Sequence, residues 1–275
     1  MDPEAFRRFE HDGWQRVAGS YEGVWAPLTS QFVGRLLTAV QVGIGTRLLD
    51  MACGPGYVSA AARGVGALPV GVDFSAAMVA RARALHAGIE FREGDAEQLE
   101  FPSGSFDAVA MNFGILHLAQ PERAVAEARR VLAPAGRFGF TVWAGTDRNP
   151  GRRIMTEAIE AYGDASLTSP EGPAADRFAN PDECRRALSV AGFSAPTMEF
   201  ETVEVQWLVP TARFLFDAER YAGVRTAALL ARQSEQRQAA IRAAVEQRVE
   251  PYSTGAGYAI PMTAHIVSAE ALGTS

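Results

Sequence analysis

Two carboxylates stand at the ends of short apolar runs, Asp50 after Arg47-Leu48-Leu49 and Asp73 after Leu68-Pro69-Val70-Gly71-Val72, 23 residues apart. Beyond the first lies Met51-Ala52-Cys53-Gly54-Pro55-Gly56-Tyr57. Glycines let a backbone approach a ligand closely and take up positive φ. In a parallel sheet, ligands bind outside the carboxyl ends of the strands, where the strand order reverses. The loop from Asp50 to Gly56 is then the floor of a cofactor site, and Asp73 is placed to accept both hydroxyls of a ribose. Two cofactor classes fit. A nicotinamide dinucleotide wants a third glycine where this sequence has Ser59, and its diphosphate sits poorly beside Asp50. S-adenosyl-L-methionine has no phosphate and carries an ammonium and a sulfonium, which suit an acidic strand end. Electrostatics favours this second class.

The elements that must position these residues follow from alternation. Further strands are predicted at Ile89–Phe91, Phe106–Met111 and Phe138–Trp143, with two more at about 198–207 and 257–267. Helices are predicted from Gly56 to about Gly64, after the N-cap Ser75, from Pro121 through Leu132 to a stop at Pro134 and Gly136, near 152–162, and after the N-cap Asn180. Residues 212–249, rich in Ala, Arg, Glu and Gln, read as two more helices. Strand and helix alternating in this way give a mostly parallel sheet with helices on both faces. The chain reads as one α/β domain with a core of about 28–145 plus 181–207 and 257–267. A helical cap is expected from 1–27, 146–180 and 211–250.

Composition narrows the classes. The chain has 275 residues, 48% apolar and 21% charged, the balance of a globular protein. A net charge of −6 argues against a nucleic-acid partner. No apolar run is long enough for a membrane span, and the acidic start Met1-Asp2-Pro3-Glu4 does not read as a secretory signal. Two cysteines make no disulfide framework, so a reducing cytoplasm is the default expectation. Lysine is absent, which excludes a Schiff-base lysine and a P-loop; its plainest origin is codon bias. No His or Cys spacing suggests a metal site.

Four segments in order resemble class I S-adenosylmethionine-dependent methyltransferases. Leu49-Asp50-Met51-Ala52-Cys53-Gly54-Pro55-Gly56 is similar to their first motif, and Val72-Asp73-Phe74-Ser75 with Met78 to their second. Glu93-Gly94-Asp95-Ala96-Glu97-Gln98-Leu99, with Phe101-Pro102 and Ser105-Phe106-Asp107, resembles the third region. Arg130-Val131-Leu132-Ala133-Pro134-Ala135-Gly136 resembles the segment RVLKPGG, with Ala133 and Ala135 departing from it. The resemblance covers about residues 45–145. Its nearest branch is the ubiquinone/menaquinone-biosynthesis type, from Ala96–Pro102 and Asn112-Phe113-Gly114-Ile115; the C-terminal part does not extend it.

The resemblance implies a doubly wound, Rossmann-like, seven-stranded mixed sheet and S-adenosyl-L-methionine as cofactor. It implies that the Gly54 and Gly56 backbone packs on the methionine part, supported by Asp50 and flanked by Ala52. Asp73 would take the ribose hydroxyls, with Phe74 on the adenine and Met78 nearby. Asp95 would accept from the adenine amino group beside Ala96. Asn112 and Phe113 would line the wall near the sulfonium, and Tyr21 and Trp25 would close over it. The implied reaction is an in-line methyl transfer to a small-molecule acceptor, releasing S-adenosylhomocysteine. Alternative readings are a quinone-type C-methyltransferase of ubiquinone/menaquinone biosynthesis, an NAD-dependent oxidoreductase and a non-catalytic cofactor-binding protein. The acceptor is expected to be small and partly apolar, because the cap carries Phe214, Phe216, Tyr221, Tyr252 and Tyr258.

His117 follows the fourth strand and is a candidate to take a proton from an acceptor hydroxyl; the plainer reading of His117 is a family position that is not a base, and Tyr21 is a second catalytic candidate. His86 at a helix end is explained by the helix dipole. His265 in a strand reads as core, and His11 as a residue that could cap the pocket. Trp14, Tyr21 and Trp25 could equally be the packing stripe of an amphipathic helix. The series Arg232, Arg237, Arg242 and Arg248 reads as a solvated helix face.

Overall fold

The computed structural model describes residues 2–167 and 171–272. It opens with α1 (Pro3–Val24), capped by the Asp2 side chain, which accepts from the backbone N–H of Glu4 and Ala5. α2 (Ala26–Thr29) and α3 (Val33–Ala39) follow. Strand and helix then alternate through β1 (Arg47–Met51), α4 (Tyr57–Gly64), β2 (Leu68–Asp73), α5 (Ala76–Leu85), β3 (Glu90–Glu93), β4 (Phe106–Asn112), α6 (Pro121–Val131) and β5 (Leu132–Trp143). The rest comprises α7 (Pro150–Tyr162), α8 (Pro181–Val190), β6 (Glu199–Val209), α9 (Phe214–Tyr221), α10 (Arg225–Ala231), α11 (Glu235–Val249) and β7 (Tyr258–Glu270).

The strands form one seven-stranded sheet in the order β3-β2-β1-β4-β5-β7-β6. β1 to β5 run parallel, and β7 lies antiparallel between β5 and β6. The mixed, doubly wound sheet foreseen in the sequence is therefore present. β1 lies between β2 and β4, buried on both faces. Leu49, Val109 and Phe138 face α6 and α8, while Leu48, Ala108 and Ile266 face α3 and α4. This explains why the parallel strands read as near-continuous apolar runs. β6 is an edge and carries Glu199, Glu201 and Glu204, charges that discourage pairing with another chain.

Several boundaries differ from the sequence reading. β3 starts and ends later than Ile89–Phe91. The helix expected through Leu132 stops at Val131, and β5 begins at once. Ala135 adopts φ 60°, and the pairing of β4 with β5 slips between Phe106 and Ala108, so Pro134 and Ala135 form an irregularity inside the strand instead of a turn before it. Residues 212–249 hold three helices, not two. Ala222 is the C-cap of the first, its N–H donating to Ala218 O, and Ser234 caps the last by accepting from Arg237 N–H. Residues 168–170, within the segment 146–180 assigned to the cap, lie outside the described residues.

A third apolar cluster joins α7, α9, α10 and α11 to the upper ends of β6 and β7. Trp207 is its largest member, 1% exposed, with its ring stacked on Trp25 at 5.1 Å and edge-on to Phe214 at 5.8 Å. Trp207→Ala is expected to cost about 3–5 kcal/mol in urea unfolding. An unchanged midpoint would contradict this packing.

Candidate active site

β1, β2 and β4 end side by side, and the chain turns sharply after each. Ala52 and Phe113 both adopt left-handed backbone, φ 56° and 57°, a conformation that costs free energy for residues with a side chain and gathers at functional sites. These bends open a crevice beside β1, where the crossovers diverge to opposite sides of the sheet. A cavity of about 250 Å³ lies there. Of the sequence-predicted site residues, Tyr21, Trp25, Asp50, Ala52, Gly54, Asp73, Phe74, Met78, Asp95, Ala96, Asn112, Phe113 and His117 all line it. Gly56 does not. It starts α4 with φ 84°, and a Cβ there would come within 2.6 Å of the Phe91 ring, so its glycine is needed for packing behind the loop. Gly54 is the opposite case, with φ 51° and open space where a Cβ would sit.

Two carboxylates form the polar floor. Asp50 is 1% exposed. Its Oδ2 accepts from the Ser59 backbone N–H at 2.9 Å and hydroxyl at 2.7 Å, while Oδ1 has no partner among the described residues. Burial pushes Asp50 up to about 7, with the Ser59 hydrogen bonds pulling the other way and Asp73 adding repulsion. Asp73 accepts from Gly54 N–H at 2.8 Å and Ser75 N–H at 2.9 Å, so it also braces the glycine loop. Burial lifts it to about 6 against those donors. Two desolvated carboxylates facing one cavity suit a cationic ligand with hydroxyl donors. An orphaned carboxylate oxygen also suits an ammonium and does not suit a diphosphate.

α1 lies over this floor. Gln15 accepts from Ser75 Oγ and Ala77 N–H, each at 2.7 Å, which ties α1 to the start of α5. Arg7 pairs with Glu97 and, at 3.2 Å, with Asp95, whose Oδ1 accepts from Glu97 N–H. Asp95 is thus fixed at the cavity rim in a braced turn. The Tyr21 hydroxyl meets Thr29 Oγ1 at 3.1 Å, and burial raises its pKa to about 12. It stays protonated at neutral pH as a hydrogen-bonding partner of Thr29. Trp25 Nε1 donates to Ala222 O at 2.9 Å, and Asn112 donates to Thr29 O and accepts from Thr141 Oγ1. Phe113 stacks on Trp143 at 4.0 Å.

The remaining candidates fall into place. His86 ends α5, but burial lowers its pKa, so desolvation outweighs the dipole invoked for it. His265 is buried in β7 against Thr202. His11 lies edge-on to Phe74 at 5.5 Å. The five cap aromatics, Phe214, Phe216, Tyr221, Tyr252 and Tyr258, do not line the cavity; Phe216 is core and Tyr221 is 60% exposed. The far wall instead carries Trp143, Leu116 and Met262 with Arg152, Glu219 and Arg225. Sequence reasoning missed these because they come from separate elements brought together only by the fold. Among the described residues no cluster of His, Cys, Asp or Glu is placed to hold a metal, and no helix is long and apolar enough to cross a membrane.

Comparison with known proteins finds likenesses over part of the chain. The family model described as a methyltransferase domain matches residues 49–140. The chain is 33% identical over 139 residues to a demethylmenaquinone methyltransferase of Renibacterium salmoninarum, covering 49% of this chain and 59% of that one. It is 32% identical over 157 residues to a ubiquinone/menaquinone biosynthesis C-methyltransferase of Pseudomonas putida, covering 53% and 56%. The chain therefore spans less than two thirds of these relatives. A Haemonchus contortus N-methyltransferase, solved with phosphomonomethylethanolamine and S-adenosylhomocysteine, superposes with TM-score 0.56 at 18% identity, covering 97% of this chain and 60% of that one. The fold is that of the class I methyltransferases. The matched segment holds the end of β1, β2 to β4, most of β5 and both floor carboxylates, whereas Arg152, Glu219, Arg225 and Met262 lie outside it.

Because Asp50 binds its proton more tightly folded than unfolded, its contribution to stability is present at low pH and is lost as pH rises from about 4 through 7. Asp50→Asn cannot ionise and keeps an acceptor for Ser59. The free variant is expected to be about 2–4 kcal/mol more stable than the parent at pH 8 and equal to it near pH 4. Denaturant titrations at the two pH values check this, and a variant less stable at pH 8 would contradict the burial of an unpaired charge.

Proposed function

We propose that the protein transfers a methyl group from S-adenosyl-L-methionine to a small, partly apolar acceptor. The observation that carries the reading is the pair of buried carboxylates, Asp50 with a free oxygen and Asp73 beside Gly54, on the floor of one cavity inside a methyltransferase domain. When bound, the cofactor supplies a methyl group on a positively charged sulfur. The chain's residues hold and orient it. Asp73 takes the ribose hydroxyls, and Asp50 and the Gly54 loop take the charged amino-acid end. Phe74, Met78, Asp95 and Ala96 surround the base. Asn112, Phe113, Tyr21 and Trp25 form the wall on the sulfur side, where aromatic faces favour a cation. α1 and its aromatic residues exclude water from the site. Fixing donor and acceptor in line is the main catalytic task, because the leaving group is already a good one.

The acceptor side supports a molecule with an apolar body and a polar group, from the mix of Trp143, Leu116 and Met262 with Arg152 and Glu219. The relatives' names favour a quinone-type C-methylation as a second reading, but of that wall only Leu116 lies inside the matched segment. A nicotinamide-dependent oxidation is disfavoured by Asp50, which would face the diphosphate.

The test is calorimetric titration with S-adenosylhomocysteine and with NAD. S-adenosylhomocysteine is expected to bind and NAD not. Asp73→Ala is expected to weaken the former by at least tenfold, consistent with losing hydrogen bonds to a charged group. Binding of NAD alone would overturn the assignment.

A further inference from the structure

Glu10 is the one carboxylate of α1 that is fully buried among the described residues, at 0% exposure. It sits on the apolar face between Phe6, Gly13 and Val17. Its Oε1 meets Arg225 Nε of α10 at 2.5 Å, and its Oε2 meets His117 Nδ1 at 3.0 Å. Arg225 is itself held by Leu116 O and, at 2.9 Å, by Pro173 O, with its guanidinium 4.5 Å from the Phe6 ring centre. The ring of His117 lies edge-on to Trp14 at 4.8 Å, and the residue lines the cavity. Its Nε2 has no partner among the described residues and is not sealed from the cavity or solvent. Burial would raise the Glu10 carboxyl, but His117 and Arg225 outweigh it, so Glu10 stays ionised. An ionised carboxylate can only accept, which fixes the Nδ1–H tautomer and leaves the Nε2 lone pair free.

We propose that Glu10 is a positioning residue that orients His117 as a proton acceptor, and that the methyl acceptor is a small phenol or enol. This rests on the methyltransferase reading. In the step, the acceptor O–H bond breaks, its proton bonds to His117 Nε2, and the electron pair stays on the acceptor as the nucleophile. An imidazole is basic enough to take a phenolic or enolic proton and a poor match for an aliphatic alcohol. The charged groups facing His117 are Glu10 on α1, Arg225 on α10 and Asp73 at the end of β2.

The test combines ¹⁵N NMR of His117 at pH 8, with S-adenosylhomocysteine added, and turnover of catechol and 4-nitrophenol with S-adenosylmethionine. The expected tautomer carries its proton on Nδ1. His117→Asn should lose catechol methylation by about 100-fold or more and lose much less with 4-nitrophenol, which is already ionised at pH 8. Glu10→Gln should lower kcat for catechol with little change in KM. Equal loss on both phenols in His117→Asn, a proton on Nε2, or no turnover of either phenol by the parent would overturn the proposal. Binding of S-adenosylhomocysteine in the same samples separates the two readings: its absence would remove the cofactor assignment, while the tautomer still reports on the pair.

Discussion

The site depends on an unfavourable electrostatic arrangement. Asp50 and Asp73 lie at the ends of adjacent parallel strands, buried, mutually repelling, and short of protein cations. Nothing in the core offsets Asp50 with a charge; Ser59 offers two neutral donors to one oxygen and leaves the other bare. Such a group is held near neutrality by its own desolvation and is stabilised when a cation arrives. The fold accepts this cost because β1 is packed on both faces and cannot move the carboxylate into water.

The remaining structure closes that crevice. α1 contributes aromatic cover and is fastened by polar contacts to α5, to the turn at Asp95 and to His117. α9 and α10, inserted between β6 and β7, bring Glu219 and Arg225 to the far wall. The floor carboxylates and the glycine loop thus lie in the matched segment, while Arg152, Glu219, Arg225 and Met262 of the cavity lining lie outside it. One fold can keep its cofactor site while its acceptor changes.

Much of this was legible in the sequence. Buried parallel strands leave largely apolar runs, so β1, β2 and β4 stand out, and the caps Ser75 and Asn180 mark their helices by type alone. The glycine loop and Asp73 follow from strand–turn–helix spacing. What was not legible is pairing across distance. Gly56 has the same residue type as Gly54 but serves packing, because Phe91 fills the space beside it. Ala135 hides an irregularity that a motif-based reading takes for a turn. The five cap aromatics were wrongly expected to shape the acceptor site, since composition does not say which way an inserted helix faces. Glu10 did leave a signal, a carboxylate on the apolar face of an amphipathic helix, but its partners are 107 and 215 residues away.

The central claim is that two buried, proton-holding carboxylates receive a cationic cofactor. Calorimetric titration of S-adenosylmethionine at pH 6.5, in buffers of different ionisation enthalpy, counts protons exchanged on binding. The account predicts release, approaching one proton per cofactor bound, and affinity that tightens as pH rises from about 5.5 to 7.5. Binding with no proton release, or with uptake, would contradict it.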